Sequence, residues 1–426
     1  MSQQILFNPE ELFKEPLKKY ERFFSLFDLS PLESLPGVGR KPISRAALTR
    51  ALIFKNLRSL PTLSDLTAEL QERPALAFIL GFQPGEKRLP VERFSAFLRD
   101  TDNLLFQQVR ESLVKTLINR KVIRGKYLSL DACPIKANVK QNNLKTNVRN
   151  RFLKDTLPKN DLDCRLGVFA VFPSGTKKVE FYWGYRNHIV NDAEVELPLA
   201  EITTPGNIRG TSVMLPRLQY VKEQFDLKPK AVAGDCEYDS ATIVEFIFKE
   251  LEAKPRIARN PRGGAGPDLK LSSSGAPICL AGFQMVSRGI FWDKQEKRKR
   301  HKFYCPIRAS KRFAAEHSYC PWFHPQFVKG SGCYKNIRVD VDETIRKQID
   351  YGSESFKKDY NKRTSSERIF SRLLSLSMQE PTVKGITATA NCCTIAHITV
   401  LAVALFASFV KEPKRIRFVK SFLPNL

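Results

Sequence analysis

Apolar residues recur at helical spacing from about Ser44 to Asp102, where Ala46, Ala47, Leu48, Ala51, Leu52, Ile53 and Leu57 make one amphipathic unit. Thr62 and Ser64 precede a second unit from Leu66 to Leu70, Phe94, Phe97 and Leu98 suggest a third, and a long helix is expected over 103–119. At Lys126-Tyr127-Leu128-Ser129-Leu130-Asp131 the pattern changes to an apolar strand ending on a carboxylate. β-like runs follow at 166–172, 179–190 and 195–202, and the short turns between them read as an antiparallel meander. A helix over 212–224, a buried strand over 230–235 that again ends on Asp, a helix over 241–251 and a short strand near 256–258 complete this part. Strands first and α/β units afterwards describe a mixed α/β sheet with helices on both faces.

Residues 261–351 break the rhythm with Gly263-Gly264-Ala265-Gly266-Pro267, a Ser run at 272–274 and a cationic block over 294–302, and so read as an insertion. The Gly-rich piece lacks the Lys-Ser/Thr of a phosphate loop and reads as a flexible connection. Regular helix resumes over 356–378, with Tyr360, Arg363, Glu367, Phe370 and Leu374 on one stripe. A very apolar helix over 386–410 follows. Its most apolar stretch, 395–410, is interrupted by His397 and Thr399 and falls short of the roughly 20 residues that span a bilayer, so a buried core helix and no membrane are expected. The expected division is 1–120, an all-α domain; 121–260, the first part of an α/β core; 261–351, the basic insertion; and 352–426, the rest of the core.

Composition narrows the partner. The 426 residues, 42% hydrophobic, can build a sizeable core, while 70 Lys+Arg against 44 Asp+Glu leave a formal charge of +26. So large a surplus repels itself without an anionic partner and favours phosphate-rich ones, nucleic acid above all. Residues 1–11 lack a basic segment before an apolar core, so a cytoplasmic, nucleoid-associated location is expected. Nine irregularly spaced Cys argue for reduced thiols over a disulfide framework. Cys305, Cys320 and Cys333, with His301, His317 or His324, are candidate Zn²⁺ ligands, but their gaps lack the short Cys pairs of common zinc modules and ordinary thiols fit better.

The candidate chemistry lies in three carboxylates from separate elements, Asp131, Asp235 and Glu367. Asp residues at adjacent strand ends open into one crevice, a flanking helix can add a third acid, and three carboxylates can hold two Mg²⁺ (or Mn²⁺) ions for phosphoryl displacement. Arg363 is placed to hold a phosphate or orient Glu367. Spacing alone leaves this open, because strand-end Asp residues are common and an Arg/Glu pair at i, i+4 is usually a surface pair. Candidate DNA contacts are Tyr360 and Arg363; Lys136 and Lys140 beyond Asp131; Arg40 and Lys41 in the Gly/Pro loop 35–42; Arg298 and Arg300; and Trp292, which can stack on a base. His188 reads as a hydrogen-bonded core residue.

Gly184-Tyr185-Arg186-Asn187-His188, Leu197-Pro198-Leu199-Ala200 and Thr204-Pro205-Gly206-Asn207 resemble the strand-turn-strand of bacterial and archaeal insertion-sequence transposases of the DDE class, of the insertion-sequence-four-like kind. Leu130-Asp131-Ala132 with Ala137-Asn138, and Ala233-Gly234-Asp235 with its Tyr238-Asp239-Ser240 tail, are similar to the first and second acidic motifs of that family. Tyr360, Arg363 and Glu367 match its Tyr-x2-Arg-x3-Glu signature, and residues 40–103 resemble its N-terminal helical domain. The resemblance implies a ribonuclease-H-like core with Asp131, Asp235 and Glu367 as metal ligands. It also implies cutting of double-stranded DNA at terminal inverted repeats and joining of the freed 3′-OH to target DNA, by a homodimer on DNA. Where the signature carries Lys seven positions after Glu, this chain has Leu374, which leaves that contact to another residue such as Arg372; Ile208-Arg209-Gly210 replaces an expected His-Asp. A DNA-binding regulatory relative, or an endonuclease or resolvase that cleaves without joining, are the alternatives.

Overall fold

The computed structural model describes residues 9–33, 43–83, 90–171, 178–259, 270–272, 276–295, 297–339, 345 and 348–421. Six helices come first: α1 (Pro9–Phe24), α2 (Arg45–Leu57), α3 (Leu63–Glu72), α4 (Pro74–Ile79), α5 (Val91–Asp100) and α6 (Asn103–Asn119). Ser44 caps α2 by accepting from the Ala47 amide, and Thr62 and Asp65 form a reciprocal capping box on α3. α1 and α4 are additional to the helices that the apolar spacing predicts. Residues 40, 41 and 263–267, which carry the Arg40 and Lys41 expectation and the Gly-rich connection, lie outside the described residues.

The central sheet has six strands: β1 (Tyr127–Lys136), β2 (Arg165–Val171), β3 (Lys178–Asp192), β4 (Leu197–Pro205), β5 (Ala231–Gly234) and β6 (Lys254–Ile257). Its order is β2-β3-β1-β5-β6, with β4 also on β3. β3 runs antiparallel to β1, β2 and β4, while β5 is parallel to both β1 and β6. Three antiparallel strands continued by parallel ones, with helices on the faces, make the ribonuclease-H-like mixed sheet. The simple meander is corrected in one respect: β1 pairs with the long β3, not with β2, because β3 is long enough to carry β2 and β4 end to end along its other edge. Gly184 is needed where β3 meets the end of β1, since a Cβ there would lie 2.1 Å from the Ile135 carbonyl oxygen.

α7 (Gly210–Gln224) lies between β4 and β5, and α8 (Ala241–Glu245), which continues as a π-helical turn, lies between β5 and β6. The region before the last helices holds a two-stranded ladder, β7 (Lys270–Leu271) with β8 (Pro277–Ile278), and a three-stranded sheet of order β11-β10-β9, from β9 (Val286–Asp293), β10 (Arg298–Tyr304) and β11 (Tyr334–Arg338). Short helices α9 (Pro306–Ala309), α10 (Lys311–Glu316) and α11 (Pro325–Val328) separate β10 from β11. The expected helix over 356–378 is broken into α12 (Glu354–Tyr360), a 3-10 turn (Asn361–Arg363), α13 (Thr364–Leu373) and a π-helical turn (Leu374–Met378).

Last comes α14 (Ile386–Phe409), which at 24 residues and a mean hydropathy of 2.1 is long and apolar enough to cross a membrane, beyond what the 395–410 stretch suggested. It is nonetheless the core of the molecule, packed against α2, α5, α6 and β4 with 83% of its apolar window buried. One continuous apolar cluster runs from Tyr20 through the sheet to Phe406 and Val419.

Candidate active site

Register brings the two Asp residues together. β1 and β5 are parallel, with Leu130 opposite Gly234, so Asp131 and Asp235 each follow one position later on neighbouring strands. Asp131 does not end its strand as the apolar pattern implied: pairing with β5 stops at Leu130, but pairing with β3 continues to Lys136. Asp235 does close β5, and its Oδ1 accepts the Glu237 amide at 2.9 Å, capping the 3-10 turn Cys236–Tyr238.

Glu367 comes from the first turn of α13, where a carboxylate also suits the helix dipole. Arg363 stands between the acids, with one guanidinium nitrogen 2.8 Å from Glu367 Oε1 and another 3.8 Å from Asp131 Oδ2. Tyr360 is half-buried, stacked on Phe356 with centroids 5.8 Å apart, and hydrogen-bonded to Arg363. The predicted stripe therefore meets at one place despite the break in the helix.

A buried polar zipper fixes α13 to the sheet. Ser129 Oγ lies 2.6 Å from Ser366 Oγ, Ser366 donates to Asn191 Oδ1 at 2.8 Å, and Asn191 Nδ2 donates to Ser365 Oγ at 3.1 Å. All four residues are fully buried, so each hydroxyl or amide needs these partners. In the sequence this group is marked only by a Ser inside an apolar strand and a Ser pair just ahead of the acid. Arg186, a motif residue with no role assigned from sequence, holds Glu237 with two 2.9 Å bonds while Glu237 accepts the Gly210 amide at 2.7 Å.

Burial pushes Asp131 up to about 7, helped by the negative charges of Asp235 and Glu367 and opposed by the Ala132 amide and Arg363. Asp235 is raised in the same way, by burial first and then by Glu237. His188 is buried with Nε2 3.0 Å from Thr204 Oγ1, and burial lowers it to about 3, so it is the neutral core residue the strand pattern suggested. Among the described residues no three His, Cys, Asp or Glu side chains are grouped to hold a metal ion, with Arg363 lying between the acids. The donors nevertheless fit a hard dication chemically: they are all carboxylate oxygens, and Asp131 is held partly protonated by burial and like charge, which a cation beside it would reverse.

The other candidates scatter. Lys136 pairs with Glu380 at 3.1 Å, and Lys140 is exposed in a 3-10 turn just beyond β1. Trp292 is 58% exposed on β9 opposite Lys299, and Arg300 pairs with Asp293 at 2.8 Å; Arg298 begins β10. Arg372 does not replace the missing Lys at 374, because it is turned to the Glu196 carboxylate and carbonyl. Cys305 and Cys320 are buried in a small apolar cluster with Cys333 against it, and Cys333 reaches Cys279. His301 bonds Ser287, His317 stacks on Phe313, and His324 caps α11.

Residues 8–100 match the family model described as Transposase domain (DUF772). No curated protein matches the chain. Among solved structures, a cryo-EM structure of piggyBac transposase in a synaptic complex with hairpin DNA is similar at 12% identity and a TM-score of 0.35, over 99% of this chain and 80% of that one. A superposition that loose says nothing about the chemistry of this chain.

Proposed function

We propose that the chain is a DNA transposase of the DDE class, with Asp131, Asp235 and Glu367 as its metal ligands and double-stranded DNA, at terminal inverted repeats and in a target, as its substrate. The observation that carries this reading is the parallel register that puts Asp131 and Asp235 at matching positions on neighbouring strands, with Glu367 linked to Asp131 through Arg363 from a helix pinned to the same strand. The transposase-domain match over residues 8–100 and the formal charge of +26 support the same substrate class.

Two divalent ions, Mg²⁺ or Mn²⁺, held by the three carboxylates would supply Lewis-acid activation of the attacking oxygen and stabilise the leaving oxygen of an in-line displacement. The residues around them do the positioning. Asp131 must give up its proton to serve as a ligand, and Arg363, released from the acids, is placed to meet a phosphate oxygen bidentately. The Ser129–Ser366–Asn191 zipper holds the first turn of α13 so that Glu367 keeps its reach toward the sheet. Residues 1–120 would bind the repeats, residues 121–260 and 352–426 would form the catalytic core, and the basic insertion would clamp DNA, in a homodimer that handles two ends.

The test is to incubate the protein with labelled DNA from the inverted repeats flanking its coding region, a target plasmid and Mg²⁺, and to look for nicked and joined products. Both products are expected. Binding without nicking would leave the regulatory reading standing, and nicking without joining the nuclease reading.

A further inference from the structure

At the end of the sheet away from the carboxylates, the loop between α6 and β1 and the segment after α14 wall a groove of about 690 Å³. Arg120, Lys121, Arg124 and Lys411 line it, against a single acid, Glu194, and its floor includes Val195 and Ile416. Arg120 is committed to the end of α14, donating to Ser408 Oγ at 2.9 Å and to the Ser408 carbonyl at 3.2 Å. Lys121, Arg124 and Lys411 are exposed, and their side chains make no hydrogen bond or ion pair with any described residue. The loop that carries them is held in place, because the buried Asp192 carboxylate accepts the Arg124 and Gly125 amides at 3.1 and 2.8 Å.

A second cationic cluster joins this groove to the carboxylate site. Glu196, buried beside Val195, takes Arg368 at 2.6 Å, Arg372 at 3.2 Å and Arg417 at 3.2 Å. Three guanidiniums on one carboxylate leave an excess of two positive charges, and Arg372 Nη1 is buried with no hydrogen-bond partner among the described residues. Arg368 and Arg417 are 54% and 44% exposed, so they can meet an outside anion while still holding Glu196. Arg368 directly follows Glu367 on α13. Positive charge thus continues from the third acid of the candidate site, past the β3–β4 turn, into the groove. Guanidiniums suit phosphate oxygens through paired donors, and an apolar floor between cationic walls accommodates the sugar edge of a strand.

We propose that this arc and groove form a track for the phosphate backbone of duplex DNA running away from the candidate site, a DNA surface separate from the Trp292 sheet. The proposal rests on the DNA reading above. Its test is fluorescence anisotropy of a labelled duplex, titrated across a range of salt with wild-type protein and with the Lys121→Gln/Arg124→Gln/Lys411→Gln variant. Each lost phosphate contact lowers the slope of log affinity against log salt by about 0.9, so the triple variant should lose about 2.7 in slope and on the order of tenfold or more in affinity at moderate salt. The single Arg124→Gln variant should lose about one third of that slope change, and serves if the triple variant shows a lowered thermal midpoint. An unchanged slope in both variants, with wild type still binding steeply, would overturn the track and leave the transposase reading standing. Failure of wild type to bind any duplex would overturn both.

Discussion

The sheet beneath the carboxylates and the small sheet of the insertion are held together by different means. The first shares one apolar cluster with α14 and the N-terminal helices, and its polar residues are tied in buried networks: Asn187 bonds Glu201, Thr394 bonds Glu201, and His397 lies 3.0 Å from Asn187 Oδ1. The second has two small clusters, one of Met285, Phe303 and Ile337 and one around Cys305, Ile307 and Cys320, while β9 is exposed over most of its length. A large core threaded by buried hydrogen-bond networks can fix side chains to within the tolerance that phosphoryl transfer needs. A thin sheet with exposed Trp292, Phe291 and Lys299 is instead built as a surface. The contrast fits the chemistry proposed for the first region and the contact proposed for the second, and five substitutions test it.

The largest effect belongs to the site. Asp131→Asn should reduce DNA nicking a thousandfold or more, on the order of several kcal/mol in the barrier, while duplex affinity stays within about twofold. Retained strand transfer would show that the triad is misassigned.

Next is the core that supports it. Leu401→Ala, at a fully buried position of α14, should cost about 2–5 kcal/mol in urea unfolding and move the whole protein together. Ile337→Ala in the small sheet should leave that global midpoint nearly unchanged and show itself as faster amide exchange confined to β9–β11. Equal effects from the two variants would erase the distinction between the regions.

Third is pH. Burial lowers His188 to about 3 and His397 to about 4, both below the ordinary 6.5. Between those values the unfolded chain binds protons that the folded one refuses. The stability these neutral residues contribute is therefore full above about 6.5 and is lost as pH falls toward 4, by about 1.4 kcal/mol per pH unit for each. Asp131, raised to about 7, acts with the opposite sign, so the readout is the difference between wild type and His397→Gln. The variant should have the shallower acid loss between pH 6 and 4.5; parallel curves would mean that His397 is protonated in the folded protein.

The smallest effect is expected on the surface. Trp292→Ala should change stability by no more than about 0.5 kcal/mol, with any consequence confined to DNA affinity. A large loss of thermal stability would mean that Trp292 is part of the fold.

Much of the first region was legible in sequence because its strands are apolar runs between turn residues, and Asp131 and Asp235 stand out as the acids that interrupt or close them. The parallel register that joins them was not, because pairing between residues about a hundred positions apart leaves no local pattern. The Ser129–Ser366 contact was hidden for the same reason, and a lone Ser in a strand reads as solvent-facing until its partner is known. Tyr360, Arg363 and Glu367 were legible as a helical stripe, yet the 3-10 turn inside it was not, since no Pro or Gly marks the break. Arg186 is legible only as part of a motif, and the gathering of Arg368, Arg372 and Arg417 on Glu196 has no sequence signal, because an ion-pair cluster is assembled wholly by tertiary structure.

The central claim is that Asp131, Asp235 and Glu367 act together as ligands. Mn²⁺ binding followed by electron paramagnetic resonance, on wild type and on the Asp235→Asn variant in the presence of duplex DNA, addresses it most directly. Wild type should bind about two ions per chain and the variant should lose at least one of them. Identical Mn²⁺ isotherms for the two proteins would contradict the account.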